Sequence, residues 1–480
     1  DRSGNDFMDR VTVAAQDVTL QDANSLSLAG DVTGHLVTTT GQDLLLGATT
    51  VGGTATIHSG GAVRQDGDLR IGGTTQIDAA GQTVILDRSG NDFIGRVTVA
   101  AHDVRLRDAN ALGLDGNVAG HLVTTTGQDL LLGATTIGGT ATLHSRGAVG
   151  QDGDLRIAGT TQIDAANQTV TLDRSGNDFM DRVTVAAHDV TLRDANALSL
   201  AGDVTGDLVT TSGQGLLLGA TTVGGTATIH SGGMVHQDGD LRIGGTTQID
   251  AANQTVALDR SGNDFMDRVT VAAHDVTLRD ANALSLAGDV TGDLVTTSGQ
   301  GLLLGATTVG GTATIHSGGM VHQDGDLRIG GTTQIDAANQ NVALDRSGND
   351  FMDRVTVAAE NVTLRDANTL SLAGTVTGDL LTTTRQGLLL GATTVGGTAT
   401  IDSAGAVHQD GDLRIGGTTQ IDAANQTITL DRSGNDFMDR VTVAAQDVTL
   451  QDANSLSLAG DVTGHLVTTT GQDLLLGATT

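Results

Sequence analysis

The sequence repeats a short stretch whose residue types could form a calcium-binding loop. "DRSGNDF" opens the chain and returns five times, at Asp87, Asp173, Asp259, Asp345 and Asp431. Calcium-binding β-rolls use the nonapeptide GGxGxDxUx, in which U is a large apolar residue. Gly4, Asp6 and Met8 match the fourth, sixth and eighth positions of that nonapeptide. The carboxylate of Asp6 is therefore a candidate calcium ligand.

Two departures from the motif favour a turn over a calcium site. Asp1 and Arg2 stand where the nonapeptide has its first two glycines, and the next nine residues do not repeat the pattern. A calcium ion in such folds is shared between successive turns, so one nonapeptide in each repeat supplies half a site. We therefore interpret the stretch as a bend in which Asn5 helps to reverse the chain and Phe7 closes over the interior.

A second set of carboxylates lies in "QDGD", at Asp66 and Asp68. Paired carboxylates can act as general acid and base or hold a cation. The alternative is an Asp-Gly turn before a strand at Leu69. Solenoid enzymes that cleave polysaccharides have one site with Lys or Arg and aromatic platforms, whereas this chain repeats the pair without any Lys, Trp or Tyr. We predict no enzyme activity, no catalytic residue and no cofactor, and keep Asp6, Asp66 and Asp68 as the candidate ligands for calcium.

Two histidine series could also bind a metal ion, one beginning at His58 and the other represented by His236. Equivalent histidines are expected four coils, or about 19 Å, apart at the usual strand spacing. That distance is too long for shared coordination, in which a His–metal bond measures about 2 Å. A pair formed by one member of each series stays open. We favour exposed polar positions that vary among the copies, because Asp402 replaces the fifth member of the first series.

A fixed period of 86 residues organises the chain and predicts an array rather than separate globular domains. The predicted repeats are 1–86, 87–172, 173–258, 259–344, 345–430 and the partial repeat 431–480. Within each, apolar residues alternate in short pairs such as Val11 and Val13 or Leu44 and Leu46, which is typical of strands with one buried face. Turn-forming pieces such as "DAN", "VGG" and "QDGD" separate the pairs.

The pattern predicts an all-β fold, a parallel β-helix (β-solenoid) with three strands in each coil. About twelve strands in 86 residues give four coils of about 21–22 residues, joined into one continuous solenoid. At about 4.8 Å per coil the whole array would be on the order of 100 Å long. The six aromatic residues are all Phe, one in each repeat, which fits a narrow interior of Val, Leu, Ile and Ala.

Composition excludes two classes of partner. The formal net charge of −31, from 56 acidic and 25 basic residues, argues against nucleic acid and against an anionic membrane, which both need a basic surface. No stretch approaches the ~18–20 apolar residues of a membrane span. Residues 431–480 match 1–50 at every position, and no signal peptide or capping segment is visible. We expect a segment of a longer array.

Three elements together resemble the repeat regions of large filamentous-haemagglutinin-like bacterial exoproteins. They are "GNDFIGRVTV" at 90–99, "LGATTVGGTATI" at 46–57 and "GAVRQ" at 61–65. The resemblance covers essentially the whole chain. It implies a right-handed β-helical shaft, secretion by a Gram-negative cell with a partner in the outer membrane outside this segment, and a role in adhesion or biofilm. No catalytic or ligand-binding residue carries over.

The sequence leads us to expect one of two functions. The first is the structural shaft of a secreted or cell-surface adhesin, which displays a distal tip or binds host-cell glycans or proteins weakly along its length. The outward positions around Gln16, His35 and Arg64 would then be the candidates for contact. The second is a self-assembling extracellular filament, sheath or spacer, whose coils stack end to end between chains.

Overall fold

The computed structural model describes residues 4–337 and 339–479, so Asp1 and Arg2 of the calcium comparison lie outside the described residues. The described chain has 56 strands and no helix, and its strand pairings are parallel. The chain forms two compact units, Asp1–Gly244 and Gly245–Thr480, and each is a β-solenoid of stacked coils. The predicted all-β parallel solenoid is confirmed.

The strands of the first unit are β1 (Val11–Ala15), β2 (Val18–Asp22), β3 (Leu26–Val32), β4 (Leu36–Thr40), β5 (Leu44–Val51), β6 (Ala55–Ser59), β7 (Val63–Gln65), β8 (Leu69–Ile71), β9 (Thr75–Leu86), β10 (Asp92–Phe93), β11 (Val97–Asp108), β12 (Leu112–Val118), β13 (Leu122–Thr126), β14 (Leu130–Ile137), β15 (Ala141–Ser145), β16 (Val149–Gln151), β17 (Leu155–Ile157), β18 (Thr161–Asp164), β19 (Val170–Leu172), β20 (Asp178–Phe179), β21 (Val183–Ala187), β22 (Val190–Asp194), β23 (Leu198–Val204), β24 (Leu208–Ser212), β25 (Leu216–Val223), β26 (Ala227–Ser231), β27 (Val235–Gln237) and β28 (Leu241–Ile243).

The strands of the second unit are β29 (Thr247–Ala251), β30 (Val256–Leu258), β31 (Asp264–Phe265), β32 (Val269–Ala273), β33 (Val276–Asp280), β34 (Leu284–Val290), β35 (Leu294–Ser298), β36 (Leu302–Val309), β37 (Ala313–Ser317), β38 (Val321–Gln323), β39 (Leu327–Ile329), β40 (Thr333–Asp336), β41 (Val342–Leu344), β42 (Asp350–Phe351), β43 (Val355–Ala359), β44 (Val362–Asp366), β45 (Leu370–Val376), β46 (Leu380–Thr384), β47 (Leu388–Val395), β48 (Ala399–Ser403), β49 (Val407–Gln409), β50 (Leu413–Ile415), β51 (Thr419–Leu430), β52 (Asp436–Phe437), β53 (Val441–Asp452), β54 (Leu456–Val462), β55 (Leu466–Thr470) and β56 (Leu474–Thr479).

The strand register shows that two repeats make nine coils. In the first unit nine steps lead from Leu26 to Leu200, the residue equivalent to Leu28 two repeats later, through Leu44, Val63, Val84, Val104, Leu122, Ala141, Thr161 and Val183. Nine steps likewise lead from Leu284 to Leu458 in the second unit. Each repeat therefore makes four and a half coils of about 19 residues, shorter than the predicted 21–22.

The half coil makes the two sides of the solenoid exchange roles from one repeat to the next. In repeat 1, β1, β3, β5 and β7 stack on one side, while β2, β4, β6 and the first half of β9 stack on the other. The first half of β11 is the repeat-2 equivalent of β1, yet it stacks on β9, where Val97 pairs with Thr75. Equivalent residues of adjacent repeats therefore face opposite sides.

A glycine bulge explains why the number of strands in a coil varies. The β12–β14 register shifts between Leu114 and Gly116, and Gly116 has a φ of 134°. A Cβ at Gly116 would lie 1.9 Å from the carbonyl oxygen of Val99, so only glycine fits there. Beyond the bulge, the long strand β14 pairs with two short strands, β16 and β17. Coils in the middle of a repeat thus have two strands, such as β3 and β4, whereas coils at repeat junctions have the predicted three, such as β9, β10 and β11.

The interior is a continuous stack of aliphatic side chains with one Phe in each repeat. Inward positions such as Val84 and Phe93 are buried, the intervening Ile85 is partly exposed, and Gln16 is exposed, as the alternation predicted. Two threonines of β13 are also buried, but they differ in bonding. The hydroxyl of Thr124 has no hydrogen-bond partner, whereas that of Thr126 lies 2.7 Å from the carbonyl oxygen of Gln128 and 3.0 Å from Ser145 Oγ.

We expect Thr124→Val to stabilise its strand and Thr126→Val to destabilise it. Valine at 124 removes a buried hydroxyl that lacks a partner, which we expect to raise the free energy of local opening by about 1 kcal/mol. Valine at 126 has the same shape but removes one of the two hydroxyl donors to the Gln128 carbonyl, the other being Ser145 Oγ at 2.8 Å, and it takes away the hydroxyl beside Ser145. Amide hydrogen exchange of residues 120–128 measures both effects, with about fivefold slower exchange for the first variant. Equal changes in the two variants would contradict this account.

Candidate functional site

The Asn of the "GNDF" turn in repeats 2, 3, 5 and 6 is an internal hydrogen-bonding hub. Asn91 is fully buried; its Oδ1 accepts bonds from Leu69 N at 3.0 Å and Gln65 Nε2 at 2.8 Å. Its Nδ2 donates to Leu86 O at 3.0 Å and to Gln65 Oε1 at 2.8 Å. The same four bonds recur at Asn177, Asn349 and Asn435. The stretch is a turn, and its Asn joins neighbouring coils.

A buried aspartate in "DAN" holds the aromatic residue of the turn. Asp108 is 2% exposed; its Oδ2 accepts from Phe93 N at 2.8 Å and its Oδ1 from Asn110 N at 2.7 Å. Burial raises the pKa of Asp108, although these two backbone N–H groups act to lower it. Burial also raises the pKa at four of the equivalent positions, Asp194, Asp280, Asp366 and Asp452.

Sequence reasoning took "DAN" only as a turn and missed this carboxylate. The available signal was an Asp followed two residues later by Asn in every copy, a spacing that suits a side chain bonded to its own backbone. It could not show that the carboxylate also reaches the Phe of the coil before it.

The candidate calcium ligands lie beside arginines. Asp66 forms an ion pair with Arg10, and Asp68 Oδ1 lies 3.0 Å from Arg88 Nε. Asp6 is exposed, and its repeat-2 equivalent Asp92 has Oδ2 3.0 Å from Arg70 Nη1. The residues that the structure describes contain no group of three or more His, Asp or Glu side chains that could hold a metal ion. Asp6, Asp66 and Asp68 stay untested candidates for calcium.

One arginine in each repeat runs along the solenoid axis across three coil steps; we call it the clamp arginine. Arg96 Nη1 lies 3.0 Å from Asp152 Oδ1, and Nη2 lies 2.5 Å from Oδ2. The same Nη1 also lies 3.4 Å from Asp115 Oδ2. A Cβ at Gly133 would lie 2.4 Å from that nitrogen, so this glycine makes room for the guanidinium. The pair lowers the pKa of Asp152 and raises that of Arg96.

The clamp arginine and its aspartate are 56 residues apart in each copy: Arg10–Asp66, Arg96–Asp152, Arg182–Asp238, Arg268–Asp324 and Arg354–Asp410. The Arg96 and Asp152 side chains are 30% and 49% exposed, so solvent screens the attraction and each pair contributes modestly to stability. Sequence analysis missed the clamp, because a 56-residue separation becomes a contact only when the coil length is known.

The first histidine series pairs with aspartates of the next coil. His58 Nδ1 lies 3.7 Å from Asp78 Oδ2, and His144 Nδ1 lies 3.6 Å from Asp164 Oδ2. The second series lies on strands of the opposite side, such as β38, which carries His322, whereas β37 carries His316. The structure therefore does not bring the two series together for metal binding.

A shallow groove recurs in repeats 1, 2, 4 and 6, and in repeats 1, 2 and 4 the clamp arginine lines it. Its volume ranges from about 250 to 610 Å³, and in repeat 1 it is lined by Met8, Arg10, Leu45 and Arg64. Arg64 is exposed at this groove, whereas Gln16 is exposed elsewhere. His35, also exposed, accepts a bond from Thr54 N at its Nδ1, 3.0 Å away. The three predicted contact positions therefore do not form one site.

We expect calcium to leave the thermal stability of the chain unchanged. Arginines neutralise Asp66 and Asp68, so a cation would have to displace a guanidinium to bind. The measurement is the melting temperature with millimolar calcium and with a chelator, with magnesium as the control. A calcium-specific rise that Asp68→Asn abolishes would show that the predicted calcium site exists.

We expect the unfolding free energy to fall as pH rises from about 4.5 to 7. Buried aspartates have a folded-state pKa above the unfolded value of about 3.9, so their contribution is complete below that value and is lost as pH rises through the folded pKa. The lowered pKa of Asp152 acts below pH 4, outside this range.

Urea unfolding midpoints measured in 1 M NaCl separate this effect from general charge repulsion. The Debye length is about 3 Å at that salt concentration, which screens surface charges but not buried ones. A midpoint that is constant, or that rises, between pH 4.5 and 7 in high salt would refute the role of the buried aspartates.

No helix in the described part of the chain is long and apolar enough to cross a membrane.

Comparison with known proteins identifies the family of the repeat. No curated protein and no solved structure matches the chain. One family matches five times, once in each 86-residue period, over residues 34–100, 119–186, 206–272, 292–358 and 380–444. These matches cover more than half of the sequence, and the chain therefore belongs to the family described as "Repeats of unknown function (DUF5649)".

Proposed function

We propose that this chain is the structural shaft of a secreted or cell-surface bacterial adhesin, without catalytic activity of its own. The observation that carries the proposal is the repetition of one complete set of cross-coil bonds in every 86 residues. The buried Asn hub and the buried aspartate join neighbouring coils, and the clamp arginine reaches a coil three steps along the axis. Such a set of bonds suits a rigid spacer, which keeps its two ends a fixed distance apart.

The direction of the hydrogen bonds suits a chain that carries tension along its axis. In a solenoid the backbone hydrogen bonds between parallel strands run along the axis, so tension along the axis acts on many of them at once. The clamp from Arg96 to Asp152 spans three coil steps in the same direction. Stacked coils linked in this way resist separation at any single coil boundary.

The charge of the surface supports an extracellular, well-separated shaft. A net charge of −31 makes copies of the chain repel one another. The sequence resemblance to filamentous-haemagglutinin-like exoproteins gives the proposed location, the bacterial surface or its surroundings. Host-cell or cell-surface glycans or proteins would be bound by a segment beyond the repeats, and an outer-membrane partner would export the chain.

Deletion of two repeats tests the shaft. Removing residues 173–344 joins Leu172 to Asp345, the dipeptide Leu-Asp that already stands at 344–345. Because two repeats make nine coils, the deletion keeps every remaining residue on its own side, and we expect it to shorten the reach by roughly 40 Å. The chain is fixed at one end to a surface and carries a known binding domain at the other.

The readout is capture of ligand-coated beads across polymer layers of increasing thickness. We expect the shortened chain to lose capture at a thinner layer than the full chain. Equal reach of the two chains would refute the shaft. Saturable capture by the bare repeats would place recognition on the repeats themselves, and indefinite fibres in electron micrographs would favour the filament, sheath or spacer.

A further inference from the structure

Repeat 2 has a groove, distinct from the recurring one, that contains two arginines without acidic partners. We call it the repeat-2 groove; it measures about 420 Å³ and is lined by Ser89, Arg107, Thr125, His144, Arg146 and Asp164, among others. Arg107, Thr125, His144 and Asp164 form one row of register partners across four coils, and Arg146 follows two residues after His144.

The other arginines near this groove are neutralised, whereas these two are not. Arg88 pairs with Asp68 at 3.0 Å, and Arg105 lies 3.6 Å from Asp87. The side chains of Arg107 and Arg146 make no hydrogen bond or ion pair with any described residue. In a chain of net charge −31, two unpaired guanidinium groups in one groove are an unusual concentration of positive charge.

Each of the two carboxylates of the groove has a partner other than Arg107 and Arg146. Asp164 Oδ2 lies 3.6 Å from His144 Nδ1. Asp108 is buried, and its oxygens accept bonds from Phe93 N and Asn110 N. The hydroxyl groups of Ser89 and Thr125 add hydrogen-bond donors to the lining.

We propose that the repeat-2 groove binds an oxyanion group, either a free ion or a sulfate or carboxylate carried on a saccharide. Arginine presents planar pairs of N–H donors that match the oxygens of such groups. The inference goes beyond the proposed shaft and does not depend on it.

Arg146 stands at a backbone corner where a side chain requires the backbone to shift. The equivalent positions are Gly60, Gly232, Gly318 and Ala404. A Cβ at Gly318 would lie 2.3 Å from the carbonyl oxygen of Gly299, so a side chain there requires the backbone to move. The corner bond from Arg146 N to Thr126 O is 3.2 Å long, whereas that from Gly318 N to Ser298 O is 2.9 Å. Repeat 2 alone combines an arginine here with one at the Arg107 position, so we expect one site in the chain.

Isothermal titration of the full chain with sodium sulfate and with a monosulfated disaccharide, at low ionic strength, tests the site. We expect saturable binding of one ligand per chain. Arg146→Gly gives repeat 2 the residue of repeats 1, 3 and 4, and Arg107→Gln gives it the residue at position 21 of repeat 1. Each variant should lower the affinity about tenfold, the loss of one charge-assisted contact.

Arg193→Gln is the matched control, because Arg193 is the repeat-3 equivalent of Arg107 and its repeat has Gly232 in place of Arg146. It should leave the affinity unchanged, and Gly318→Arg should create a second site in repeat 4. Tighter binding of the disaccharide than of sulfate supports a saccharide-borne group, and equal binding supports a free ion.

Several outcomes would overturn the proposal. They are no saturable binding, wild-type affinity in Arg146→Gly, or an equal loss of affinity in Arg193→Gln. Melting curves of each variant establish that it is folded. If Gly318→Arg unfolds, the comparison of Arg146→Gly with Arg193→Gln decides.

Discussion

The whole structure depends on one constraint: each coil must place its residues directly above those of the coil before it. Parallel strands about 4.8 Å apart leave no freedom in that direction, so every side chain has two fixed axial neighbours. Inward aliphatic residues satisfy the constraint easily, because one branched side chain packs on another. Polar groups at the corners satisfy it only with specific partners, and this explains the buried Asn91 and Asp108. Each of them is bonded to the backbone of another coil.

The half coil in each repeat makes this constraint stricter. Because the sides exchange roles, the strand that opens one repeat stacks on the first half of the long strand β9 of the repeat before it. Val97 therefore packs on Thr75 on one side and on Leu114 on the other. A residue at a repeat junction must fit two different kinds of neighbour.

The sequence predicted the strands and their inward faces but not the way coils are joined. Alternation of apolar residues is local, so the inward position of Val84 and the exposure of Gln16 could be predicted. The register between distant residues depends on the length of every coil between them. An error of two residues in each coil therefore misplaces every distant pairing. For that reason the clamp from Arg96 to Asp152 and the exchange of sides could not be found. The role of the "DAN" aspartate was hidden for a different cause, since burial of a carboxylate is the exception for which sequence patterns give little warning.

The clamp arginines have a structural role, whereas the unpaired Arg146 points to a functional one. A clamp arginine occurs in each complete repeat with its aspartate 56 residues later, and the neighbouring glycine leaves room for it. Selection for the array explains such a residue fully. Arg146 occurs once, lengthens a corner bond that is shorter where glycine stands, and has no partner among the described residues. Packing and stability therefore give no reason for Arg146, which leaves the groove it lines as the place to seek recognition by this otherwise uniform array.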